Sequence, residues 1–199
     1  MRDEFERQLA LLNEELTTMG GLIESAIANA VKALDGNEHS INKAYDYEKS
    51  IDNKEREIES LSLKLLLTQQ PVASDLRLIS AALKMITDME RIGDQAEDIA
   101  EIAATAKKKM LKKSKHIQRM AAATIDMVNK SVEAFIKKDL LIAEEVSHND
   151  DVVDALFEEI VNDLVDIIKK DEGTSEVLDM LMVAKYFERI GDHATNIAE

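Results

Sequence analysis

Four acid-x-x-x-acid pairs carry most of the chemistry this chain offers: Glu48/Asp52, Glu90/Asp94, Asp150/Asp154 and Glu188/Asp192. Residues four apart share one face of a helix, so each pair projects two carboxylates in one direction. The pairs also fall on apolar seams. Glu48 lies in the series Ile41, Ala44, Ile51, Ile58, Leu65, and Glu90 in the series Ile79, Leu83, Ile86, Gly93, Ala100. Asp150 and Glu188 interrupt the matching series Ala143, Val146, Val153, Ile160 and Leu181, Ala184, Gly191. If facing pairs converge, four carboxylates meet. At an effective dielectric of about 20, two unit charges ~4 Å apart repel by about 4 kcal/mol. Several such contacts would rival the roughly 5–15 kcal/mol that holds a domain folded. The cluster escapes by protonation, by exposure to water or by binding a cation. No Lys or Arg shares the stripe, because Arg91 and Arg189 lie one residue along, turned by about 100°. An all-oxygen set suits Mg, Mn, Ca or Fe(III) and also accommodates zinc. Carboxylates bridge ions, so a multinuclear site is the expectation.

A solvated helix face is the ordinary account of a single acid pair at this spacing. Two features count against it here: the pairs interrupt apolar seams, and they recur at equivalent places in the two halves. The halves are not identical. Phe157 stands where the first half has Glu55, and Asn196 stands where it has Asp98. Glu55 and Asp98 are therefore supplementary candidates in the first half. His193 replaces Gln95 and is a further candidate, although a supporting or surface role suits it better than ligation.

The elements that position these acids follow from a repeat. Glu90-Arg91-Ile92-Gly93-Asp94 returns as Glu188-Arg189-Ile190-Gly191-Asp192, 98 positions later. Ala96/Ala194, Ile99/Ile197, Ala100/Ala198 and Glu101/Glu199 extend the match, and such self-similarity marks two copies of one structural unit. Spacing of apolar residues by three and four predicts helices over about 3–34, 40–68, 74–110, 116–137, 140–169 and from 175 onward. Gln69-Gln70-Pro71 and Asp171-Glu172-Gly173 read as stops. Short links make successive helices antiparallel neighbours. The expected architecture is all-α: two tandem up-down-up three-helix bundles related by a pseudo-twofold repeat. They should cover residues 1–111 and 112–199 and join at the basic stretch Lys107 to Lys115. By analogy with the third helix, the sixth should run one or two turns past Glu199, so the second repeat reads as truncated. Gly20-Gly21, matched by Ala121 to Ala123, and Gly93 and Gly191 are positions where helices could approach closely.

Composition narrows the function. The 199 residues carry a formal charge of −15, which disfavours nucleic acid as a main partner. There is no cysteine, so thiolate metal sites and Cys nucleophiles are excluded. One proline and an abundance of Leu, Ile, Ala, Glu and Lys favour helix. No apolar run approaches the ~20 residues that span a bilayer, and the charged start Met1-Arg2-Asp3-Glu4 is no signal peptide.

The segment Gln69-Gln70-Pro71-Val72-Ala73-Ser74-Asp75-Leu76-Arg77, followed by Ile86-Thr87-Asp88-Met89-Glu90-Arg91-Ile92-Gly93-Asp94, strongly resembles the PhoU family of bacterial phosphate-signalling regulators. The resemblance covers essentially the whole chain. It implies two three-helix bundles side by side and multinuclear iron or zinc clusters held by the family's acid-x-x-x-acid motifs. Those motifs map onto Glu48/Asp52, Glu90/Asp94, Asp150/Asp154 and Glu188/Asp192. It also implies a cytoplasmic, often membrane-associated protein that restrains phosphate uptake and the phosphate-starvation response. Such a protein links the ATPase of a phosphate ABC transporter to a sensor histidine kinase, and a homodimer is expected. The second half lacks the Pro-Val-Ala-Ser-Asp-Leu-Arg segment, so its hairpin need not make the same contacts.

Three functions compete. A non-catalytic, metal-binding regulator and adaptor fits the long helical faces and the absence of a nucleophile constellation. A carboxylate-bridged di-iron enzyme wants paired Glu-x-x-His motifs, and only Glu145-x-x-His148 offers one. A purely structural scaffold has no use for acids on its seams.

Overall fold

The α1 stripe is almost wholly buried: Phe5, Leu12, Leu16, Met19, Ile23, Ala26, Ala30 and Ala33 all lie in the core. In a computed structural model describing residues 2–68, 72–106, 115–169 and 174–199, such stripes organise six helices. These are α1 Arg2–Leu34, α2 Glu38–Thr68, α3 Ala73–Thr105, α4 Lys115–Lys137, α5 Leu140–Lys169 and α6 Thr174–Ala198. No strand occurs among the described residues. The all-α, two-bundle architecture expected from the seams is the one observed.

The repeat reaches the turns. After α1, Gly36 takes a left-handed φ of 90°. Its amide donates to Ala33 O at 2.8 Å, and that of Asn37 to Lys32 O at 3.1 Å. This pair of bonds satisfies carbonyls the helix leaves over. After α4, Lys138 holds the same place at φ 55°, and Asp139 N reaches Ala134 O at 3.0 Å. Asp139 then caps α5, its Oδ1 accepting from Leu141 N at 2.9 Å.

One boundary differs from the reading of the seams. The third helix does not run to Met110 but ends at Thr105, where Ala106 turns extended with ψ 147° and its amide caps Ile102 O. The physical reason is the stripe itself. Ala103 is its last buried residue, and Ala104, Thr105 and Ala106 offer little apolar surface to hold a further turn on the core. The basic stretch at 107–114, the expected domain boundary at 111/112 and the stops at 69–71 and 171–173 lie outside the described residues.

Helices α1, α2 and α3 pack mutually, as do α4, α5 and α6, and the bundles meet through α1 on α4 and α3 on α6. This leaves α2 and α5 on the outer flanks. The α3–α6 seam is antiparallel and carries the pseudo-twofold in its side chains. Asn196 Nδ2 donates to Asp88 Oδ1 at 3.3 Å, and the Tyr186 hydroxyl donates to Asp98. These are equivalent contacts, since Asp88 matches Tyr186 and Asp98 matches Asn196. Such an isologous arrangement is what twofold symmetry requires. Gly20 is buried at the α1–α4 crossing, where an added methyl would meet Val132 at 3.4 Å, whereas Gly21 faces open space. Close approach thus explains the first glycine of the pair and not the second.

Candidate metal centre

The acids of α2 and α3 face one another. Ile51 and Ile58 anchor α2 in the core, and Met89 and Ile92 anchor α3. Gly93 makes the crossing close, because a methyl there would come within 3.1 and 3.2 Å of Ile51. The intervening acids are left half-buried at the core's edge. The Glu48 carboxyl is pushed up to about 7, by burial first and then by Glu97, Asp52 and Asp94. Burial likewise raises Glu90, with Asp94 next and Glu55 and Asp52 contributing. Glu55 rises through burial and Asp52. Glu48 and Glu90 are each disturbed by acids of the neighbouring helix as well as their own, which is the signature of convergence.

The second bundle repeats this with fewer acids. Asp150 on α5 is raised to about 6 by burial, then by Asp154, Asp192, Asp151 and Glu188. Asp192 is raised by burial and Glu188. Asp154 and Asp192 lie at the exposed rim, with Asp150 and Glu188 deeper. Gly191 has a direct use here. An added methyl would stand 3.0 Å from Asp150 Oδ1, so the glycine lets that carboxylate lie against α6.

Basic side chains do reach the acids, contrary to the expectation drawn from the stripe. Arg91 Nη1 lies 3.0 Å from Asp94 Oδ2, Arg56 Nη2 lies 3.4 Å from Asp52 Oδ2, and Lys185 Nζ lies 2.6 Å from Glu188 Oε2. Position on a helical wheel fixes the Cα only. A long side chain spans to its i+3 or i+4 neighbour, so a 100° offset does not isolate it. Arg189 acts elsewhere, near enough to Asp98 to oppose the rise of its carboxyl.

Two supplementary candidates turn toward the other bundle. Asp98 accepts from Tyr186, and His193 Nδ1 lies 2.9 Å from Asp88 Oδ1, both partners being largely buried. The structure therefore places His193 as a tie between α3 and α6. Glu97, on the same stripe of α3 as Glu90, belongs with Glu48 and Asp94: burial and Asp94 raise it. Its signal was legible, since it follows Glu90 by seven residues on one stripe. Asp88 had no such signal.

Comparison with known proteins places the chain. The model of the PhoU domain family matches residues 16–103 and again 117–199. The chain belongs to the PhoU family. The phosphate-specific transport system accessory protein PhoU homolog of Clostridium acetobutylicum is 36% identical over 207 aligned positions, covering 100% of this chain and 92% of that protein. The Pseudomonas aeruginosa homolog of the same name is 32% identical, covering 98% and 83%. The crystal structure of PhoU from Pseudomonas aeruginosa superposes with a TM-score of 0.87 at 30% identity, covering 98% of this chain and 95% of that one. That of the phosphate transport system regulatory protein PhoU from Streptococcus pneumoniae gives 0.90 at 22% identity, covering 98% and 93%, and so speaks to the fold.

The PhoU resemblance implies metal, and the residues fit it in chemistry. Both centres offer only oxygen donors, desolvated and mutually repelling, and Gly191 provides a cradle for Asp150. They are not drawn to a point: among the described residues, no three acidic or imidazole side chains form a finished ligand set. Arg56, Arg91 and Lys185 hold several of the carboxylates by charge, and ligation requires these carboxylates to turn inward. Among the described residues, no helix is long and apolar enough to cross a membrane.

Proposed function

We propose that this PhoU-family chain is a non-catalytic, metal-binding regulator that restrains phosphate uptake and the phosphate-starvation response when phosphate is ample. It acts in the cytoplasm, between the ATPase subunit of a phosphate ABC transporter and a sensor histidine kinase, as a homodimer of paired repeats, residues 1–111 and 112–199. The observation that carries this reading is the family match in both halves, joined to relatives named as accessory proteins of phosphate-specific transport. Glu48, Asp52, Glu90 and Asp94 would hold metal in the first bundle, with Glu55 and Glu97 beside them. Asp150, Asp154, Glu188 and Asp192 would do so in the second. A multinuclear iron or zinc cluster, or Mg or Mn, meets the demand of such donors. When bound, the metal supplies the positive charge that lets both faces ionise together.

The di-iron enzyme reading loses support from the placement of its one motif. Glu145 pairs with Lys130 on the surface and His148 is 83% exposed, so neither enters the bundle. Partner binding is supported by one end of the molecule. There, at the start of α5, Leu140 is 79% exposed and Leu141 71%. Near them Arg77, Phe135 and Lys138 line a cleft of about 410 Å³. Exposed leucines gathered at one place mark a contact surface.

A pull-down from membranes with and without phosphate tests the reading. The chain is expected to retain the transporter ATPase when phosphate is ample, and Leu140→Asp with Leu141→Asp is expected to reduce that capture at least about tenfold. Equal capture of unrelated membrane proteins, or none of the ATPase in either condition, would overturn the adaptor role.

A further inference from the structure

The matched glutamates of the two centres are held differently. Glu90 on α3 has Arg91 Nε at 3.6 Å, beyond hydrogen-bond reach. Its counterpart Glu188 on α6 has Lys185 Nζ at 2.6 Å from both carboxylate oxygens. The same ammonium lies 5.6 Å from the centroid of the Phe157 ring. Two substitutions between the halves produce this arrangement. Lys185 stands where the first half has Thr87, and Phe157 stands where it has Glu55. One change removes a carboxylate and supplies an aromatic face. The other places a cation over that face and onto the remaining glutamate.

We propose that Lys185 is a built-in cation of the second centre that competes with a divalent metal ion for Glu188, so that the two halves take up metal with unequal affinity. The proposal rests on the metal-binding reading above. Its physical basis is occupancy. Oε1 of a largely buried carboxylate, 17% exposed, accepts a hydrogen bond from an ammonium. The buried Oε2, ion-paired to the same ammonium, has no hydrogen-bond partner among the described residues and is the atom left for a metal ion. The Phe157 face adds an attraction of its own to that ammonium. A metal ion that takes Glu188 as a ligand must displace Lys185 or bear its positive charge alongside. The displacement is feasible, because the ammonium sits on a flexible four-carbon stem and returns readily to water. In the first bundle the competing cations, Arg91 on Asp94 and Arg56 on Asp52, are the more exposed, 55% and 70%, and sit on less buried carboxylates. Glu90 itself needs no such displacement, and Glu55 adds a donor. The first centre should therefore fill at lower metal concentration than the second, giving one chain two thresholds.

The test uses the full chain with Glu90→Gln and Asp94→Asn, which leaves the second centre as the site read out. Mn(II) alone is titrated, with free ion followed by electron paramagnetic resonance. Adding Lys185→Met is expected to tighten Mn(II) binding roughly 10- to 100-fold, the worth of a charge-assisted hydrogen bond. Lys185→Arg keeps the charge and is expected to change affinity less than about threefold. Lys185→Gln replaces Met if circular dichroism shows the Met variant unfolded, with the same tightening expected. No tightening, or equal tightening by Arg and Met, would overturn the role of Lys185 while leaving metal binding intact. Absence of Mn(II) binding by the unaltered chain and by every variant would remove the metal reading itself, and this proposal with it.

Discussion

Asp94→Asn combined with Asp192→Asn is expected to strip bound metal from the chain while leaving it folded. Asparagine matches aspartate in shape, so helix packing is preserved. Each change removes a charge that a neighbouring acid feels: Asp94 raises Glu48, Glu90 and Glu97, and Asp192 raises Asp150. Loss of an outer partner of a metal ligand already costs ~10–100-fold in affinity, so loss of a ligand should cost more than about 100-fold. Without metal, the variant should be as stable as the parent or more so, because like charges have been removed from a half-buried face. Elemental analysis after gentle purification and thermal denaturation in a chelator check both halves of this expectation. Unchanged metal stoichiometry would exclude these two residues as ligands. A collapse of the fold would mean that the carboxylates stabilise the bundles directly.

The second large effect is on stability as pH changes. Glu48 and Asp150 are held at about 7 and about 6, above the ordinary carboxyl range. Glu55, Glu90, Glu97, Asp98 and Asp192 are shifted in the same direction. A group raised on folding binds its proton more tightly in the folded state. Its stabilising contribution is full below the unfolded carboxyl range and is lost as pH rises through the folded value. The metal-free chain is therefore expected to be more stable at pH 5 than at pH 8. The groups are partly exposed and screened, so the difference is roughly 1–2 kcal/mol, or about 2–8 °C in Tm for a chain of this size. Saturating Mn(II) should restore stability at pH 8 and flatten the profile. Glu48→Gln should flatten it in part without metal. A metal-free Tm that rises steadily from pH 5 to 8 would mean the acids are not crowded in solution.

The sequence revealed most of the fold because two periodicities agree in it. The three-and-four spacing of residues such as Leu12, Leu16, Met19 and Ile23 defines a helix wherever it runs, and the 98-residue return of Glu90–Asp94 defines a pair. The end of α3 was less legible. Helix propensity stays high through the lysines after Ala106, whereas the helix stops within a turn of Ala103, its last buried residue. Facing acids could be read from seam position, since Glu48 and Glu90 interrupt apolar series that must meet. The reach of Arg91 and Lys185 could not, because side-chain length and rotamer choice do not appear in a Cα pattern. The ties Asp88–His193 and Asp98–Tyr186 were hidden for another reason. They join bundles across more than eighty residues of chain, and no local spacing encodes which helix of one bundle meets which helix of the other.

Crystals of the full chain grown with Mn(II), or purified with its native metal, would locate the cation directly by anomalous scattering. The account predicts peaks between α2 and α3, within bonding distance of oxygens from Glu48, Asp52, Glu90 and Asp94, and weaker peaks between α5 and α6 beside Asp150. Maps with no anomalous peak at either crossing, and with these carboxylates turned outward to water, would contradict it.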